Sequence, residues 1–141
     1  MNLEFIQDLW DKDSIIDNEL LHNESTKIPA LHAKYYKIYN NILTLKKAQE
    51  TQYKILKKEK WQYYTGKASP EVYVDKPFDF KVLKADLDKY FDADVDLIKC
   101  TAKIEYQQIM LEYLESILKV IQNRTYQIKN AIEWQRFTNG L

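Results

Sequence analysis

Glycine occurs twice, proline three times and cysteine once in the 141 residues of this chain. Each scarcity excludes something. With so few turn formers, the chain reads as long helices joined by few connections rather than as strands joined by tight turns. Two glycines leave no room for a glycine-rich phosphate loop. Cys100 has no partner for an intrachain disulfide, which points to an intracellular protein. No apolar run approaches the roughly 20 residues needed to span a bilayer. The start, MNLEFIQDLWDKD, is acidic where a signal or transit peptide is basic. The expected compartment is therefore the cytoplasm, with no membrane partner. His22 and His32 lack carboxylate or cysteine neighbours at ligand spacing, and no Ser, His and Asp arrangement stands out. We read the chain as a non-enzyme with no cofactor and no metal.

What is present is charge, unevenly placed. Residues 1 to 24 carry seven acids and one lysine, residues 27 to 67 ten lysines and two acids, and residues 79 to 96 six acids and three lysines. The respective balances are −6, +8 and −3 in a chain of formal net charge zero. Such segregation implies a positive surface of defined location, suited to an anionic partner or to an acidic neighbouring subunit.

The 45% hydrophobic content is enough for the core of a single helical domain, residues 1–141. Leu3, Ile6 and Leu9 or Trp10 predict a short acidic amphipathic helix within residues 1–13, either a clip on the body or a docking surface. Asp17 is the expected cap of a long helix over 17–66, kinked or broken near Pro29. Ile28, Leu31, Tyr35, Ile38, Ile42 and Leu45 form its packed seam. Residues 67–80 hold two prolines and read as a loop, with Val72 and Val74 able to form a short extended segment. A short helix follows over 81–91. Asp92, Asp94 and Asp96 lack the glycine turn and distant glutamate of a calcium loop, so they read as carboxylates at a helix start.

The stretch Lys54 to Lys67, KILKKEKWQYYTGK, carries the most distinctive chemistry. On a helix, Lys54, Lys57, Lys58, Trp61 and Tyr64 share an arc roughly 120° wide, with Lys60 at its edge. Ammonium groups suit phosphates and flat rings suit bases, the combination that single-stranded nucleic acid requires. The plainer reading is a lysine-rich helix end complementing its own dipole before a stop at Gly66.

The last helix, predicted over 94–138, has the strongest period. Leu97, Ile104, Leu111, Leu118 and Ile132 fall on one heptad row, and Leu114, Ile121 and Ile128 on a second. A helix this long outruns a compact domain of this size, whose radius of gyration is about 14 Å. That predicts an elongated helical hairpin or bundle, all-α, whose heptad stripe is completed by other subunits. An ordinary monomeric bundle is the alternative.

At KKEKWQYYTGK, residues 57 to 67, the chain resembles the UvsY recombination mediators of T-even-type phages. The resemblance extends to the acidic start, to Ile16-Asp17 and to the IKNAIEWQRFTNG end, Ile128 to Gly140. It implies a ring-like homo-oligomer, a hexamer or heptamer, that binds single-stranded DNA without sequence preference. It also implies a mediator that weakens the phage single-strand DNA-binding protein and loads a RecA-like recombinase during recombination, repair and replication. Lys58 and Lys60 match the family's DNA-contacting basic pair, although lysine stands at 60 where arginine is expected and Trp61 where an aliphatic residue is. The expected DNA-contacting set is Lys54, Lys57, Lys58, Lys60, Trp61, Tyr64 and Lys67. The competing reading is a helical scaffold protein without nucleic-acid activity.

Overall fold

The computed structural model describes residues 1–140. Seven helical segments and no strand occur among the described residues: α1 (Leu3–Asp13), α2 (Leu21–Thr26), α3 (Ile28–Tyr64), α4 (Pro70–Asp75), a single 3₁₀ turn (Lys84–Asp86), α5 (Leu87–Asp92) and α6 (Val95–Thr138). The fold class is all-α.

Local chemistry sets these boundaries. Asn2 caps α1, its side-chain oxygen accepting the Phe5 amide at 2.8 Å. Asp17 accepts the Glu19 amide at 2.9 Å, so it holds a turn rather than starting a long helix. Residues 14–20 are accordingly outside the helices, and the helix expected from 17 onward is two separate pieces, α2 and α3. Pro29 sits in the first turn of α3, where its missing amide has no helical partner to lose. At the other end Gly66 adopts φ +76°, the left-handed geometry of a helix stop. Ser69 and Pro70 then start α4, so Val72 and Val74 are helical and not extended.

Contacts divide the chain into two compact units. The first comprises residues 1–43 and 109–141. Its core joins Ile6 of α1, Tyr35, Ile38 and Ile42 of α3, and Met110, Leu111, Leu114, Ile117 and Ile121 of α6. Trp10 meets the Tyr35 ring edge-on at 5.4 Å between centroids. Arg124, only 3% exposed, donates from one terminal nitrogen to the carbonyls of Asp13 and Ser14, both at 3.0 Å. Its guanidinium carbon lies 5.7 Å from the Trp10 ring centre. The acidic first helix is thus held as a clip, its C-terminal carbonyls capped by a buried arginine.

The second unit is residues 44–108. Its interior is aromatic: Tyr64 contacts Tyr63, Phe78, Tyr90 and Phe91 with centroids 5.2 to 6.2 Å apart. Tyr73 stacks on Tyr63 at 5.5 Å and sends its hydroxyl to the Tyr63 carbonyl at 2.9 Å. Leu97 and Cys100 of α6 are buried, and the Cys100 thiol lies 3.8 Å from the Gln49 carbonyl.

These placements revise the role of the heptad stripe. Leu97, Leu111, Leu114, Ile121 and Ile128 are buried within a single chain, while Ile104 and Leu118 are half-buried. Of the eight residues expected to line a subunit seam, only Ile132 is exposed. The heptad period is spent on packing α6 against other segments of its own chain, because a period of 3.5 specifies a buried stripe without specifying whose side chains cover it.

Candidate nucleic-acid interface

Lysines on the last three turns of α3 face two environments. Lys54, Lys57 and Lys58 are exposed, as is Lys67 just beyond the helix. None of the four has a carboxylate partner among the described residues. The Lys57 ammonium lies over the rings of Phe91, at 5.4 Å, and Tyr53, at 6.0 Å, so its stem is laid on apolar surface while its charge stays accessible. Lys67 sits 4.5 Å over the Trp61 ring. Trp61 itself is 37% exposed.

Lys60 is placed differently. Its side chain is 17% exposed and pairs with Asp96 at 2.7 Å and Asp94 at 3.3 Å. Asp94, 6% exposed, also accepts the Tyr64 hydroxyl at 2.5 Å and the Leu97 amide at 3.0 Å. One buried carboxylate therefore caps α6, receives a phenol and neutralises a lysine. Lys60 and Tyr64, expected to face DNA, are turned into the fold by this hub: their charge and hydroxyl are already matched within the chain, and the Tyr64 ring is covered by its aromatic neighbours. The signal was present in the sequence as Asp94 and Asp96. We read them there only as carboxylates favoured at a helix start, because their cationic partner lies 34 and 36 positions away.

Electrostatics follow from this geometry. Burial pushes the Asp94 carboxyl up, but the Tyr64 hydroxyl, the Leu97 amide and the Lys60 charge outweigh it and hold Asp94 below the usual carboxylate range. Asp96 is lowered by the hydrogen bond and charge of Lys60. Burial pulls Lys60 down, yet the two carboxylates raise it overall. Burial and Asp94 together raise the Tyr64 phenol well above its ordinary value, so it remains a donor. A carboxyl lowered in the folded state contributes stability that is complete above its unfolded value near 3.9 and is lost as pH falls through the folded one. We expect denaturant stability to be flat between about pH 6 and 8 and to drop below about pH 4. Asp94→Asn should flatten that acid limb, because the lowered carboxyl is gone; an unchanged limb in urea titrations would contradict the hub.

No helix among the described residues is long and apolar enough to cross a membrane. The end of α3 in this all-α chain thus carries exposed lysines without a carboxylate partner among the described residues, beside a partly exposed indole. Residues 9–141 match the family described as "Recombination, repair and ssDNA binding protein UvsY", and the chain belongs to that family. The recombination protein uvsY of Enterobacteria phage T4 is 25% identical over 140 residues, covering 99% of each chain. Two crystal structures of the bacteriophage T4 recombination mediator protein UvsY superimpose with TM-scores of 0.86 and 0.87. The first is 25% identical and covers 99% of this chain and 98% of that one; the second is 26% identical and covers 97% and 99%.

Proposed function

We propose that this protein is a recombination mediator, not an enzyme, that binds single-stranded DNA without sequence preference through Lys54, Lys57, Lys58 and Lys67. The observation that carries this reading is four lysines around one helix end, none with a carboxylate partner among the described residues, in a member of the UvsY family. Lysines that served only to pair with acids of the same chain would resemble Lys60, and these four do not. Contact with phosphates alone carries no sequence information, which suits a protein that must act anywhere on a strand.

One such patch is weak at cellular salt, since each neutralised phosphate costs about 0.7 log units of affinity per decade of salt. Repeating it around a ring-like homo-oligomer, a hexamer or heptamer, raises avidity through effective concentration and wraps the strand. Because the heptad residues are interior, the ring would use surface still apolar and open. The end of α6 offers Ile132, Trp134 and Phe137, all exposed, with the last two rings stacked at 5.8 Å. A strand held this way would be less available to the phage single-strand DNA-binding protein and better presented to a RecA-like recombinase, in the host cytoplasm.

The deciding experiment combines a mobility shift on a random-sequence oligonucleotide with light scattering of the free and bound protein. Expected are binding insensitive to sequence, a steep loss with salt, and a mass several times that of one 16.9 kDa chain. An assembly of several chains that leaves the oligonucleotide unshifted would favour the scaffold alternative, and a particle of one-chain mass that leaves it unshifted would reject both readings.

A further inference from the structure

Beside the lysines, the indole of Trp61 borders a cleft of about 270 Å³ completed by Thr65, Val82, Leu83, Lys84 and Leu87. Apart from Trp61, none of these residues belongs to the expected DNA-contacting set. The cleft falls just under the size that holds drug-like ligands, roughly 300 to 1,000 Å³, and suits a single flat ring system. Its walls are mainly apolar. Leu83 is 63% exposed. Thr65 spends its hydroxyl on the Trp61 carbonyl at 2.6 Å, so it offers no free donor to the cleft.

We infer that this cleft seats one unpaired nucleobase per protomer against Trp61, with Lys84 meeting an adjoining phosphate. The inference rests on the single-stranded DNA reading above and extends it from the backbone to the bases. Three features favour a base over other occupants. Trp61 lies three and four positions from Lys58 and Lys57, so the ring and the phosphate-binding amines share a helix surface. Lys84 adds a cation at the cleft itself. The walls present an aromatic and aliphatic surface with no rigid donor and acceptor fork, which gains from stacking any base and discriminates none.

The test compares oligo-dT with an abasic deoxyribose-phosphate chain of equal length, using the full-length protein, Trp61→Ala and Leu83→Gln. The wild type should prefer oligo-dT by about tenfold or more. Both variants should lose that preference, and Leu83→Gln should keep the wild-type affinity for the abasic chain, the salt slope and the particle mass. Leu83→Gln guards against a folding defect, since its side chain is largely in water. A retained preference overturns the inference, as does an equal loss on both polymers. A fall in particle mass overturns it too, by showing that the cleft seats another copy of the chain. If the wild type binds both polymers equally, the cleft assignment fails while the lysine reading stands; if it binds neither, both fail.

Discussion

Asp94→Ala should lower the unfolding free energy by about 3 kcal/mol, a large share of the total for a domain of this size. The substitution removes the oxygen that accepts the Leu97 amide at the start of α6, a cap worth about 1 kcal/mol. It also strands the Tyr64 hydroxyl among aromatic rings, a further cost of about 1 to 3 kcal/mol. Lys60 is spared the full penalty of a lone buried charge because Asp96 remains 2.7 Å away. Asp94→Asn, which retains an oxygen acceptor of the same shape, should cost about half as much. Urea unfolding at pH 7 with an unchanged m-value would report the difference directly. A loss under about 0.5 kcal/mol for the alanine variant would mean that the hub does not hold the second unit together.

The combined change Lys54→Ala, Lys57→Ala and Lys58→Ala should leave stability nearly untouched and lower affinity for single-stranded DNA about fiftyfold per protomer at 0.15 M salt. Three fewer phosphate contacts should also flatten the plot of log affinity against log salt by about 2 units per bound protomer. Binding isotherms on random and homopolymer strands over a range of salt would check both. The contrast is Lys60→Met. That change leaves Asp94 buried without its cation, so it should destabilise the fold by a few kcal/mol and barely alter the salt slope of protein that remains folded. Should Lys60→Met flatten the slope while the triple variant does not, the division between structural and DNA-facing lysines would be reversed.

This division shows where sequence reading stops. Helical periodicity put Lys54, Lys57, Lys58, Lys60, Trp61 and Tyr64 near one arc, and an arc is a local property that 100° steps fix. Which part of the arc faces solvent depends on what approaches it. Here Asp94 and Asp96 draw Lys60 inward, and Phe78, Tyr90 and Phe91 surround Tyr64. The same holds for α6. Leu111, Leu114 and Ile121 were legible as part of a buried stripe, but the groups that join them in the core, among them Ile6, Tyr35, Ile38 and Ile42, come from distant positions that no repeat announces. Arg124 is not marked in the sequence, since an arginine on a long helix carries no sign of burial until two carbonyls, from the end of α1 and the following residue, converge on it.

From sequence alone came the all-α class, the long C-terminal helix, the acidic amphipathic start, the concentration of positive charge before Gly66, and the likeness to the UvsY family. These are set by composition, spacing and short-range capping, which act within a few residues. The tertiary structure alone decided which lysines keep a free charge, that the heptad stripe is interior to one chain, and that Trp61 borders a cleft with Leu83 and Lys84. Those outcomes depend on contacts between residues tens of positions apart, where burial and charge pairing override what a helix end or a seven-residue repeat suggests by itself.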